Sequence, residues 1–220
     1  MVAHVALVGD SILDNGGYTA GLADVAGHLR SLISPAQVTL LAVDGSTTMD
    51  LAGQVDRLPA DVTHACVSIG GNDGLLEIDA LQAAASSVAE AMATIDTRAA
   101  AFEARYRAAV QSVVDRVGQV AVCTIYQPRL EGVENDLVRA GLVVLNDVIL
   151  RTAIAWALTV VDLRFVVVEE ADFANPLEPS SVGGRKIAAA IAAGLGLVEL
   201  AEPVTTVVKG STAGPASTRS

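Results

Sequence analysis

The chain alternates short apolar runs with segments of helical periodicity, and this alternation limits the folds open to it. The apolar runs are typical of buried strands in a parallel sheet, whose two faces are both covered. They lie at 5–8, 38–43, 63–69, 120–125 and 158–163. Helical patterns lie at 18–32, 47–58, 78–117, 137–157 and 183–195. Strands joined through helices need right-handed parallel crossovers, so the sequence predicts a three-layer α/β/α sandwich around a parallel, flavodoxin-like five-stranded sheet.

Two boundaries inside this pattern are less regular. The long helical pattern at 78–117 is expected to break near Asp96 and Thr97. The stretch 165–170 fits either a short strand or a packed connection, and the sequence alone does not separate the two. A loop at 126–136, which carries Pro128 and Arg129, is long enough to line a pocket.

The length of 220 residues suits one α/β domain with a sizeable core. We assign this domain to residues 1–200. The composition then turns to Gly, Ser, Thr and Pro, and residues 201–220 are predicted to be a disordered tail.

The charge balance restricts the partners. A formal net charge of −11 argues against nucleic-acid and anionic-membrane surfaces, which would repel such a chain. We find no secretory signal pattern and no convincing membrane span, so the expected location is the cytoplasm. Cys66 and Cys123 lie in apolar strand-like runs and are expected to be buried thiols, with no disulfide, metal or cofactor. The oligomeric state stays open.

Three strand ends carry residues suited to acyl transfer. Ser11 follows the turn after the first strand, Gly45 follows the second, and Asn72 follows the third within Gly70-Gly71-Asn72-Asp73. The carboxyl ends of parallel strands form the edge at which open α/β sheets bind ligands. A serine hydroxyl, a glycine N–H and an asparagine amide at one edge can attack an acyl group and stabilise a developing negative charge.

Simpler interpretations of these residues remain. Asp10 or Ser11 can be a helix N-cap, Gly45 and Gly70 can serve turns alone, and Asn72 can cap a helix. A flavodoxin-like nucleotide or flavin site also fits the fold class, although neither a G-x-G-x-x-G fingerprint nor a P-loop is present.

In these blocks the chain resembles the SGNH hydrolases, also called GDSL esterases and lipases. The similarity comprises Gly9-Asp10-Ser11 with Asp14-Asn15, then Gly45, then the GxND block at 70–73, in order and spacing over about residues 3–197. The resemblance implies that Ser11 is the nucleophile. It also implies that the N–H groups of Ser11 and Gly45 and the amide of Asn72 form the oxyanion hole.

The fourth block departs from the family pattern. The family has DxxH before the last helix, with His as the general base, whereas the corresponding place here reads Asn175-Pro176-Leu177-Glu178. The chain has three histidines, and His4 and His64 begin strands, up to ~23 Å from the site edge at about 3.3 Å per residue. His28 is placed near the far end of the first crossover helix, so all three are expected on the opposite side of the sheet.

Glu178 is therefore the candidate base, with Asn175 donating a hydrogen bond to its carboxylate. Its alternative role is a charge near a helix N-terminus or on the surface. Asp172 is expected to be a solvated loop residue. Together these features predict a slow serine esterase that acts on small acyl esters. The alternative is an impaired domain that binds an acyl or carbohydrate ligand without turnover.

Overall fold

The computed structural model describes residues 2–199 and 206–207. Its centre is one sheet of five parallel strands in the order β2-β1-β3-β4-β5. The strands are β1 His4–Gly9, β2 Gln37–Leu40, β3 His64–Ser68, β4 Gln119–Cys123 and β5 Thr159–Val161. The predicted fold class is confirmed, and each strand lies inside or within one residue of its predicted apolar run.

Helices cover both faces of the sheet. They are α1 Val25–Leu32, α2 Leu51–Val55, α3 Gly71–Leu75, α4 Ile78–Leu81, α5 Val88–Val114, α6 Gly132–Trp156 and α7 Ser181–Gly194. Successive residues of β1 point to opposite faces, which explains its unbroken apolar run. Val5 and Leu7 pack in one core with α1 and α7, and Ala6 and Val8 pack in a second core with α2, α5 and α6.

Several helix boundaries differ from the predictions. The first crossover helix begins at Val25, because Asp24 caps it by accepting a hydrogen bond from the Gly27 N–H at 2.6 Å. The predicted break near Asp96 and Thr97 is wrong, since α5 runs through both residues. The interruption lies instead at 82–87, between α4 and α5. The pocket-lining loop after β4 is shorter than predicted because α6 already begins at residue 132.

The stretch at 165–170 forms no strand. Short 3₁₀ turns occupy Leu163–Phe165 and Glu170–Asp172. Cys66 and Cys123 are buried, as predicted, with their sulfur atoms 3.6 Å apart. Within the described part of the chain, no helix has the length and apolarity needed to cross a bilayer. The predicted tail at 201–220 lies outside the described residues, apart from 206–207.

Candidate active site

Ser11 stands on a tight turn directly after β1. The turn begins at Gly9, whose φ is +143°, and a Cβ there would lie 1.8 Å from the Ser68 carbonyl oxygen. Only glycine allows this close approach. The backbone N–H of Asp10 then donates to that same carbonyl at 3.0 Å. No α-helix starts here, so the N-cap interpretation of Asp10 and Ser11 is wrong for α1, which Asp24 caps.

The second and third turns are held against each other. Gly45 has a φ of +80° in the turn after β2, and the Asn72 amide donates to the neighbouring Ser46 carbonyl at 2.9 Å. Asp73 accepts hydrogen bonds from the Thr48 N–H at 2.9 Å and from the Thr48 hydroxyl at 2.6 Å. Asn72 and Asp73 therefore fix the start of α3 to the segment that follows Gly45.

The loop that carries Glu178 is anchored at several points. The Tyr126 hydroxyl donates to the Leu177 carbonyl at 2.6 Å. The Asn15 amide donates to the Pro179 carbonyl at 3.1 Å, while its oxygen accepts from the Val25 N–H at 2.9 Å. Because Asn15 is fully buried and lies four residues after Ser11, it ties the Ser11 turn to the Glu178 loop.

Asn175 acts on the backbone of this loop. Its side-chain oxygen accepts from the N–H groups of Leu177 and Glu178, both at 2.9 Å. Within residues 2–199, no hydrogen bond joins the Asn175 amide to the Glu178 carboxylate, so the contact expected from the sequence is not formed. Asn175 instead shapes the turn that carries Glu178.

Three of the sequence-predicted site residues share one cavity of about 80 Å³. Ser11, Asn72 and Glu178 all line it, whereas Gly45 lies on the adjoining turn outside the lining. Its apolar walls include Leu75, Ile125, Tyr126, Val138, Leu142 and Leu177. The arrangement places a hydroxyl, a side-chain amide and a carboxyl group around a common apolar space.

Comparison with known proteins identifies the family of this chain. Residues 7–184 match the model of the GDSL-like Lipase/Acylhydrolase family. The chain belongs to this family. It is therefore a member of a family of hydrolases. No curated protein matches the sequence of this GDSL-like chain.

Solved structures of lipolytic enzymes and esterases are similar to this GDSL-like chain in fold. A phospholipase A1 from Streptomyces albidoflavus is 18% identical, with a TM-score of 0.63 over 87% of this chain and 100% of that one. An extracellular lipase from Streptomyces rimosus is 16% identical, with a TM-score of 0.64 over 89% and 100%. An acetylxylan esterase from Geobacillus stearothermophilus is 21% identical, with a TM-score of 0.64 over 88% and 94%.

Burial and neighbouring charges perturb the acids of this GDSL-like site. Burial raises the pKa of Asp10 to about 8, and the carboxylates of Glu178 and Asp73 add to the rise, against a lowering by the Ile12 N–H. Burial also raises the pKa of Glu178, the Ser11 hydroxyl opposes this rise, and Asp44 adds to it. The Oε2 atom of Glu178 is buried without a hydrogen-bond partner among the described residues, so the carboxylate is only partly satisfied.

The Ser11 and Glu178 side chains are thus neighbours, but their contact is loose. The hydroxyl is close enough to stabilise the charged form of the carboxylate. It does not satisfy the buried Oε2 atom. Hydrogen bonds at catalytic sites without substrate are often long and tighten when substrate binds.

The histidines of this GDSL-like chain lie outside the cavity lining. His4 and His64 are the first residues of β1 and β3, as predicted. His4 bonds to Thr39, and His64 bonds to Thr63. The prediction for His28 is wrong, because its Nε2 lies 3.0 Å from the Ser181 hydroxyl, at the first residue of α7. His28 therefore packs behind the Glu178 loop.

Within residues 2–199 and 206–207, no cluster of acidic, His or Cys residues is arranged to hold a metal ion.

Asp172 differs from its predicted role. It is fully buried, and its carboxylate accepts from the N–H groups of Val168 and Glu169 at 3.0 and 2.9 Å and pairs with Lys186 at 2.8 Å. Burial alone would raise the pKa of Asp172, but Lys186 and the backbone N–H groups hold it below its usual value. Asp172 is a structural anchor between the loop before Glu178 and α7.

Gln54 is an important residue that the sequence analysis missed. Its amide nitrogen donates to the Gly9 carbonyl at 2.8 Å and to the Ser46 hydroxyl at 3.1 Å. Its amide oxygen accepts from the Gly9 N–H at 2.7 Å. Gln54 therefore joins the Ser11 and Gly45 turns from a short helix. The available signal was a polar amide among the apolar residues of α2, Leu51 and Val55, which are both buried.

Proposed function

We propose that this chain is a serine ester hydrolase acting on small acyl esters, with Ser11 as nucleophile and Glu178 as general base. One observation carries the proposal: Ser11 and Glu178 line the same cavity, where the hydroxyl lies close enough to favour the charged form of the carboxylate. Asn72 lines the cavity as well and supplies an uncharged donor. Family membership supports ester hydrolysis as the reaction class.

In the first half of the reaction, the Ser11 oxygen attacks the ester carbonyl carbon. The hydroxyl proton moves to Glu178, and the carbonyl oxygen becomes an oxyanion. We assign its stabilisation to the Asn72 amide and the N–H groups of Ser11 and Gly45. Collapse of this intermediate breaks the bond to the alcohol oxygen, which takes the proton from Glu178 and leaves Ser11 acylated.

In the second half, water hydrolyses the acyl-enzyme. Glu178 accepts a proton from the water as its oxygen attacks the acyl carbon. The proton then returns to the Ser11 oxygen when the acid leaves. Ester and water thus give acid and alcohol, and the protein is regenerated.

A carboxylate is a weak base for this task, so we propose slow turnover. The ordinary pKa of Glu is about 4.3, far below that of a hydroxyl. Partial burial raises the pKa of Glu178 and so raises its proton affinity. Positioning and oxyanion stabilisation act independently of the base, and they still accelerate the reaction when the base is poor.

The test combines labelling of Ser11 with kinetics at several pH values. The parent protein should react with a fluorophosphonate probe at Ser11 and cleave short-chain p-nitrophenyl esters, and Ser11→Ala should abolish both. Glu178→Gln should lower kcat by about a hundred- to ten-thousand-fold. Because Glu178 must be deprotonated to act, the parent rate should rise with pH through the pKa of this group, and the variant should lose that rise.

Glu170→Gln is the matched control, since Glu170 is an exposed acid in the same loop region. It should keep the parent rate and pH profile. Equal rates for Ser11→Ala and the parent would reject the nucleophile. An unchanged pH profile in Glu178→Gln would reject the base. Ligand protection against heat without labelling or turnover would favour a binding domain instead.

A further inference from the structure

A second, larger cavity of about 150 Å³ lies between helices beside the candidate active site. The segment from α3 to α4 forms one wall, and α5 and α6 form the others. Its lining is mainly apolar and includes Ile78, Leu81, Ile95, Phe102 and Leu145. The proposed ester chemistry does not by itself account for this space.

The two cavities adjoin each other. Gly71, Leu75, Val138 and Leu142 line both of them. The side of the Ser11 cavity formed by α3 and α6 is therefore also a wall of the inter-helix cavity. An apolar chain that starts at Ser11 would have to pass these four residues to enter the inter-helix cavity.

The charged residues at the inter-helix cavity are paired with one another. Arg98 forms an ion pair with Glu77, and Arg105 lies 3.7 Å from Asp73. The remaining walls are apolar, so the cavity favours an uncharged apolar ligand over an anion or a sugar. The same helical region also exposes large apolar side chains, with Leu76 76% and Val88 81% exposed.

We infer that the inter-helix cavity binds the acyl chain of the substrate, which makes the preferred substrates esters of medium-length fatty acids. This inference rests on the proposed function of Ser11. A cavity of about 150 Å³ has room for a six-carbon ligand such as benzene. With about six carbons in this cavity and the acyl carbonyl end at Ser11, the best acyl chain has about eight carbons.

The first experiment measures kcat/KM on p-nitrophenyl esters from acetate to dodecanoate. The parent value should rise up to about fourfold per methylene, equivalent to ~0.8 kcal/mol, and stop rising near eight carbons. Ala99→Phe places a ring in the cavity lining and should lower the octanoate-to-acetate ratio at least tenfold. Leu81→Ala enlarges the cavity and should move the optimum to longer chains.

Ala100→Phe is the matched control, because Ala100 is the next residue of α5 and is exposed. It should keep the parent ratio. Thermal melts establish that each variant folds. A parent rate that falls steadily beyond acetate, or an Ala99→Phe ratio equal to the parent ratio, would overturn the acyl-chain assignment while leaving Ser11 as the nucleophile.

A binding experiment separates this inference from the proposed catalysis. Methyl octanoate should raise the Tm of the Ser11→Ala protein, and the rise should be lost when Ala99→Phe is added. If no ester is hydrolysed and Ser11 is not labelled, the proposed function fails, and this Tm shift still decides whether the cavity binds an acyl chain. Equal Tm shifts in the two proteins would contradict the assignment.

Discussion

At the scale of single residues, Asp10 is the most unusual group at the site. It directly precedes Ser11, is 3% exposed, and its carboxylate accepts the Ile12 N–H at 3.2 Å. No cation pairs with it among the described residues, and Glu178 and Asp73 both disfavour its charge. The folded protein therefore holds a proton on Asp10 across much of the neutral range, whereas the unfolded chain releases it near pH 4.

This difference predicts how stability depends on pH. Between about pH 4 and about pH 8, the folded state binds the Asp10 proton more tightly than the unfolded state. The Asp10 contribution to the free energy of unfolding therefore falls as pH rises, by at most about 1.4 kcal/mol per pH unit. Asp10→Asn keeps an acceptor for Ile12 and should flatten this fall, as measured by urea unfolding at pH 5 to 8.

Asp79→Asn is the control, because Asp79 is an exposed acid in α4. It should keep the pH dependence of the parent protein. The same slope in Asp10→Asn and the parent would show that Asp10 ionises normally in the folded state.

At the scale of elements, the short helix α2 matters through one side chain. Gln54 is 3% exposed and bonds to both backbone groups of Gly9 and to the Ser46 hydroxyl. A helix of five residues is marginal by itself, so its position depends on tertiary contacts. Because the Gln54 amide bonds to Gly9 and to Ser46, it holds the Ser11 turn and the Gly45 turn at a fixed distance from each other.

Gln54→Ala should therefore destabilise the protein and disturb the site together. Leaving a buried donor unpaired costs about 1–3 kcal/mol. The Gly9 N–H loses its partner, while the Gly9 carbonyl keeps the Val43 N–H at 3.0 Å. Urea unfolding should show the loss of stability, and esterase kinetics should show a lower kcat. Gln82→Ala, at an exposed position, should stay within about 0.5 kcal/mol of the parent. A Gln54→Ala protein as stable as the parent would show that water replaces the amide.

Element boundaries show where local sequence patterns mislead. Asp96 and Thr97 were predicted to break the long helix, yet both are exposed on α5, and the Thr97 hydroxyl donates to the Ala93 carbonyl at 2.9 Å. Polar residues on the solvated face of a helix resemble a break when the packing partner is unknown. The packing of Phe102, Tyr106 and Val110 against the sheet decides that the helix continues.

At the scale of the whole molecule, the negative charge extends to the site. The net charge is −11, and the Asp44 carboxylate acts electrostatically on Glu178, which lines the Ser11 cavity. Asp14 also belongs to this region, because its carboxylate accepts the Asp44 N–H at 3.0 Å. A substrate that carries a negative charge meets a repulsive field on approach.

Neutral esters should therefore be better substrates than anionic ones. The p-nitrophenyl monoester of adipic acid should have a kcat/KM at least about fivefold below that of p-nitrophenyl hexanoate at low salt. This factor corresponds to the repulsion of about 1 kcal/mol between two like charges about 4 Å apart in water. The gap should narrow as added salt shortens the Debye length. The p-nitrophenyl ester of monomethyl adipate is the neutral control. A gap that does not change with salt would assign the discrimination to desolvation.

The sequence by itself determined the architecture and the three strand-end turns. Apolar runs, helical periodicity and Gly-rich turns are local properties, and parallel crossovers bring Ser11 and Asn72 to one sheet edge. It also singled out Glu178, which lines the same cavity as Ser11.

Only the tertiary structure decided how these groups are held and how they ionise. The contact of Asn15 with Pro179 joins residues 164 positions apart in the sequence, and the contact of Gln54 with Gly9 joins residues 45 positions apart. The pKa of Asp10 depends on burial by segments that are distant in the sequence. The inter-helix cavity beside the site also forms between such segments. Such features arise from packing between elements, which periodicity along the chain does not encode.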